Sequence, residues 1–154
     1  MKRSAPGFGS SRRAWFELLL GALALAAPLP AFAAEVRFRV IVHPSNPLGA
    51  VGRDFMADAF LKKVTRWDDG EAMHPVDLRA DAGARRSFSD NVLKRSVSAV
   101  KIYWQQRIFS GRGVPPPELD SDQAVIEYVA SHRGGVGYVS EAARLDAVKV
   151  LNLR

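Results

Sequence analysis

An α/β chain with a central sheet of about four strands flanked by helices is what this sequence predicts. Three observations carry that expectation. Runs of alternating apolar residues are interleaved with runs of helical spacing, and glycine, proline or a capping residue marks the changes between them. The composition, 47% hydrophobic and 25% charged, is that of a globular chain.

The elements follow in order. Val36 to Val42 alternates, with Val36, Phe38, Val40 and Val42 on one face and Arg37 and Arg39 on the other. It reads as a strand whose apolar end, Val40-Ile41-Val42, enters the core. His43-Pro44-Ser45-Asn46-Pro47 stops it as a rigid loop. Phe55, Met56, Ala59 and Phe60 predict a helix over Arg53–Lys63. Trp67-Asp68-Asp69-Gly70 reads as a turn, and Pro75-Val76-Asp77-Leu78 as a short second strand.

Three further helices are expected. Ala84, Phe88 and Val92 are spaced by four, with Asp81 available as the cap. Ser96 caps the next, in which Val100, Tyr103, Trp104 and Ile108 form one apolar stripe. That helix ends near Gly111-Arg112-Gly113, and Pro115-Pro116-Pro117 bars its continuation. Ser121 caps the third, which buries Ala124, Val125, Tyr128 and Val129 and stops before Gly134-Gly135. Val136 to Val139 and Val148 to Leu153 are short strands.

The N-terminus belongs to targeting. Lys2, Arg3, Arg12 and Arg13 precede an uncharged apolar run, Leu18 to Leu29, and Ala31-Phe32-Ala33 has the small-x-small pattern of a cleavage site. A spanning helix needs about 20 apolar residues, and Pro28 and Pro30 interrupt this run first. Residues 1–33 are therefore expected to be a signal peptide cleaved after Ala33, and residues 34–154 one periplasmic domain. The general secretory (Sec) route is expected. Ser11-Arg12-Arg13-Ala14-Trp15-Phe16 resembles a twin-arginine signal, which makes that route the alternative.

Charge and cysteine content exclude several classes. The chain carries 22 Lys and Arg against 16 Asp and Glu, a net charge of +6. Residues 1–33 hold four of the bases and one acid, so the remaining 121 residues carry 18 against 15, a net charge of +3. Much of the basicity thus belongs to the targeting segment, and no nucleic-acid partner is expected. With no cysteine there is no disulfide, no thiolate zinc site and no cysteine nucleophile. A chain of 121 residues still buries roughly two-thirds of its unfolded surface, enough for a single core.

No catalytic set emerges. His43, His74 and His132 lack a second histidine at ligand spacing. No serine lies in a nucleophile elbow, and Gly134-Gly135-Val136-Gly137 leads into a strand, the wrong order for a dinucleotide site. Asp68-Asp69 reads as a solvated turn. Neither enzymatic activity nor a cofactor is expected.

One segment invites an anion. Arg79-Ala80-Asp81-Ala82-Gly83-Ala84-Arg85-Arg86 runs from a strand into a helix start, where unpaired N–H groups carry partial positive charge. Gly83 lets a ligand approach the backbone, and the arginines offer bidentate contacts. Spacing alone equally suits arginines on a solvated helix face, with Asp81 as a cap that repels anions.

A resemblance bears on that choice. His43-Pro44-Ser45-Asn46-Pro47, Phe60-Leu61-Lys62-Lys63, Trp67-Asp68-Asp69-Gly70, Pro75-Val76-Asp77-Leu78, Arg85-x-x-Phe88, Tyr103-Trp104, Phe109-Ser110-Gly111-Arg112-Gly113, Pro115-Pro116 and Gly135-Val136-Gly137-Tyr138-Val139 occur in order. Together they resemble the small, exported phosphate ABC transporter substrate-binding-like proteins of the periplasmic binding protein superfamily. The resemblance implies a single three-layer lobe of the type 2 periplasmic-binding-protein kind and a phosphate-like oxyanion as ligand, held weakly. It also implies a transporter or another membrane protein as partner. It places contact at Arg79, Gly83, Ala84 and Arg85, through side chains at the arginines and backbone N–H at the other two. The two-lobed receptors hold phosphate with an Arg-x-x-x-Ser-Gly-Thr segment at a helix start. Here Arg79 and Gly83 are present, while Ala82 and Ala84 stand where hydroxyls would donate. The alternative is an accessory or interaction domain that keeps the lobe and binds no ligand.

Overall fold

The computed structural model describes residues 36–154; the expected signal peptide and its cleavage site lie outside the described residues. The elements run β1 (Phe38–Val42), β2 (Ala50–Val51), α1 (Arg53–Phe60), β3 (His74–Pro75), β4 (Asp77–Leu78) and α2 (Gly83–Phe88). A π-helical turn, Ser89–Leu93, extends α2, and α3 (Val97–Phe109), β5 (Glu118–Leu119), α4 (Asp122–Ser131), β6 (Gly135–Ser140) and β7 (Lys149–Leu153) complete the chain.

The central sheet has five strands in the order β2-β7-β1-β6-β3, against the expected number of about four. β1 pairs antiparallel with both β6 and β7, while β2 joins β7 and β3 joins β6 in parallel. The central place of β1 explains its apolar run. Val40, Ile41 and Val42 are all buried because both faces of the sheet are covered. The extra strand, β2, is two residues long, too short to show alternation in sequence.

The Pro75–Leu78 segment is two strands. His74 and Pro75 pair with β6, and after Val76 the chain leaves the sheet so that Asp77 and Leu78 pair with β5. Proline has no N–H to give a ladder, so Pro75 suits the edge position that β3 occupies. The switch delivers Asp77 inward and the following loop to the start of α2.

Helix limits differ from expectation where backbone or side chains compete. α1 ends at Phe60, short of Lys63, because Lys62 takes the left-handed conformation at φ 52°. Asp81 does not cap α2; Ala82 holds the cap position with no side-chain acceptor, since Arg79 has drawn the Asp81 carboxylate to itself. Ser96 and Ser121 do cap α3 and α4, accepting from the N–H groups of Ala99 and Ala124 at 3.2 Å each. Trp67, read as part of a turn, is buried and donates its indole N–H to the Gly134 carbonyl at 3.2 Å. Gly134 must stay small, because a Cβ there would lie 1.7 Å from the Ala72 oxygen.

The α3 stripe is buried at Val100 and Trp104 only. Tyr103 is half-buried, and Ile108 is exposed, since the last turn of α3 reaches past the π-helical turn that supports the helix. Trp104→Ala is expected to cost about 3 kcal/mol, the low end for a buried tryptophan, because one side of the ring already faces a cavity. Urea unfolding measures the loss, and a cost no larger than that of a surface substitution would mean that Trp104 does not anchor α3.

Candidate functional site

The start of α2 is built by the β4–β5 pair. The Arg79 N–H donates to the Leu119 carbonyl at 2.9 Å, and the Ala82 N–H closes a turn on the Arg79 carbonyl at 3.1 Å. The chain then enters the helix at Gly83. The N–H groups of the first turn have no intrahelical acceptor, and Ala82 offers no side-chain oxygen.

The four expected contact residues are adjacent in the fold but face different surroundings. Arg79 is exposed and grips Asp81 side-on, Nε to Oδ1 at 2.5 Å and Nη2 to Oδ2 at 2.6 Å. These bonds hold the Asp81 carboxyl below the usual carboxylate range, so Asp81 stays charged beside the helix start. Arg86, also exposed, donates to the Asp81 carbonyl at 2.9 Å. Gly83 lies under Val36: a Cβ would stand 2.6 Å from the valine Cγ2, so the missing side chain serves that close approach. Ala84 is buried. With Ala82 and Ala84 set against the receptor hydroxyls, the register of the receptor arginine falls on buried Leu78, and Arg79 stands one residue further along.

Arg85 turns inward. It is 3% exposed and forms an ion pair with Asp77, which is also buried. Its Nη1 donates to the Tyr138 hydroxyl at 3.3 Å, and that hydroxyl donates to Asp77 Oδ1 at 2.7 Å. The Leu78 N–H also reaches the Tyr138 oxygen, at 3.3 Å. Burial pushes the Asp77 carboxyl up against the pull of Arg85, and burial together with the Asp77 charge pushes the Tyr138 phenol well up, so it remains a donor. Asp77 and Tyr138 were not among the expected site residues. The available signal was a carboxylate between Val76 and Leu78, in a segment otherwise apolar enough to be buried.

The histidines do not assemble. His43 bonds Ser45 at 2.7 Å, while His74, at the start of β3, and His132, the C-cap of α4, bring their rings together at 5.7 Å without a third ligand group among the described residues. Among the described residues, no group of three or more His, Asp or Glu could hold a metal ion. Among the same residues, no helix is long and apolar enough to cross a membrane.

No family model matches the chain, and no curated protein does. Solved structures do. An ABC-type phosphate transport receptor from Vibrio cholerae superposes with a TM-score of 0.60 at 18% identity, over 77% of this chain and 46% of the receptor. A phosphate ABC transporter substrate-binding protein from Clostridium perfringens, solved with bound phosphate, gives 0.60 at 16%, over 77% and 45%. PstS from Borrelia burgdorferi gives 0.60 at 13%, over 77% and 47%. The chain spans about half the length of these receptors. At such identities the likeness is one of fold, and the share covered equals one lobe with its sheet and flanking helices. Residues 36–154 have the fold of a single lobe of these phosphate-transport receptors.

Proposed function

We propose that this chain is an exported, periplasmic, non-enzymatic protein of solute-binding type, which takes a phosphate-like oxyanion weakly beside the start of α2. The observation that carries the reading is the fold, that of a lobe whose two-lobed relatives include a receptor solved with phosphate. Contact falls to the N–H groups of Gly83 and Ala84 and to Arg79, with Arg85 fixing α2 from below through Asp77. Weak binding follows from the chemistry: Ala82 and Ala84 supply no hydroxyl donors, and Arg79 must exchange Asp81 for the anion. A transporter of the ABC type, or another membrane protein, is the partner class this reading implies.

A second reading, an accessory or interaction domain without a ligand, has its own support. Both arginines expected at the site already hold a carboxylate, Asp81 for Arg79 and Asp77 for Arg85. Calorimetric titration with phosphate and sulfate at fixed ionic strength separates the two. Asp81→Asn frees the Arg79 fork and is expected to tighten phosphate binding by roughly tenfold, while Arg79→Ala abolishes it. No measurable heat in either the parent or Asp81→Asn would establish the accessory-domain reading instead.

A further inference from the structure

A cavity of about 490 Å³ opens between α3 and the β4–β5 pair. Val97, Trp104, Ile108 and Pro115 give it apolar walls, and Arg85 and Lys101 contribute positive charge. Its volume is in the range that small organic ligands fill. Of the four residues assigned to the oxyanion reading, only Arg85 borders this space, and Arg79, Gly83 and Ala84 lie outside it.

The guanidinium of Arg85 is half used. Its Nη1 side is occupied by Asp77 and Tyr138. Nε is buried without any hydrogen-bond partner, and Glu118 Oε1 stands 3.7 Å from Nη2, beyond hydrogen-bond reach. Nε–H and Nη2–H are parallel donors along one edge of the guanidinium, the edge that takes a carboxylate side-on. Arg79 shows that arrangement filled, with both Asp81 oxygens on the same two nitrogens. Arg85 and Glu118 both line the cavity, and Nη2 is the end of that edge that lies toward Glu118.

We infer that this cavity binds a small organic carboxylate with a compact apolar body. The carboxylate sits side-on on Nε and Nη2 of Arg85, and the body packs between Trp104 and Pro115. Inorganic phosphate would satisfy the fork and leave the apolar walls wet, so the apolar body is part of the recognition. Lys101 at the exposed face of α3 favours the anion, and the half-exposed Glu118 carboxylate competes with it. Asp77, which also borders the cavity and is ion-paired with Arg85, opposes the anion as well, so Lys101 and the apolar walls must outweigh both carboxylates.

Phenylacetate is the probe, with 2-phenylethanol as its uncharged counterpart and phosphate as its apolar-free one. In ¹⁵N-labelled protein, phenylacetate should shift the Arg85 Nε–H and the Trp104 indole resonances saturably, with an affinity about tenfold above that of the alcohol. Glu118→Gln removes the competing charge and should tighten phenylacetate by roughly three- to tenfold without changing the alcohol. Ile108→Glu, at an exposed position on the rim, should weaken phenylacetate by about tenfold. The inference is overturned if neither resonance moves in the parent or in Glu118→Gln, or if the alcohol binds as tightly as the acid. Phosphate binding beside α2 would be read from the Gly83 and Ala84 amides, so that site and this one can fail separately.

Discussion

Arg85→Ala should lose about 3–5 kcal/mol of folding stability in urea or thermal unfolding, because it strands the buried Asp77 carboxylate with only the Tyr138 hydroxyl as donor. The loss should also acquire a pH signature. Without Arg85 the Asp77 pKa rises further above its unfolded value, so its contribution is complete below the unfolded carboxylate range and is lost as pH rises through the folded pKa. The variant is therefore expected to regain stability on acidification from neutral pH towards that range. Pairing the change with Asp77→Asn removes the stranded charge and keeps an acceptor for Tyr138, so Asp77→Asn/Arg85→Met should be more stable than Arg85→Ala alone. Equal losses in both, with no pH dependence, would show that α2 owes nothing to the ion pair.

Phe88→Ala is the second large effect, expected at about 4–5 kcal/mol. Phe88 is fully buried and stacks on Tyr138 with ring centroids 4.0 Å apart and planes 7° from parallel. Phe60 lies 4.7 Å from it at a tilt, and Phe38 meets its edge at 5.5 Å. Truncation removes the transfer energy of a whole ring and three aromatic contacts, and it opens a cavity at the joint of α1, α2 and the sheet. Phe88→Leu keeps most of the volume and should lose markedly less, with weakened near-ultraviolet dichroism from the Tyr138 neighbourhood. A cost for Phe88→Ala below about 2 kcal/mol would mean that the surrounding helices close over the gap.

These two sites meet at Tyr138, and that junction connects the core to the candidate site. The aromatic cluster fixes the ring, and the hydroxyl at its tip organises Asp77, Arg85 and the Leu78 N–H. The position of the α2 start, on which the oxyanion reading depends, is thus set by packing several residues away.

Much of the architecture was legible along the chain because it depends on local signals. The period of Val36–Val42, the serine caps at 96 and 121, and the glycine and proline breaks around α3 each act over a few residues. Short pairings were not legible. β2 and β5 have two residues each and exist only because β7 and β4 present unpaired edges to them. Asp81 as a helix cap failed for a similar reason: a cap is a local preference, and the side-on grip of Arg79 is a stronger hydrogen-bond offer than a backbone N–H.

The fold class, the order of the long elements and the stretch beside α2 where an anion would be sought follow from patterns along the chain. What each arginine there does depends on contacts between distant elements. Arg79 and Arg85 are six residues apart in one basic segment, yet one lies in water on Asp81 and the other in the core on Asp77. The difference comes from the chain switch at Val76, which turns Asp77 inward and so creates the buried charge that a guanidinium must neutralise.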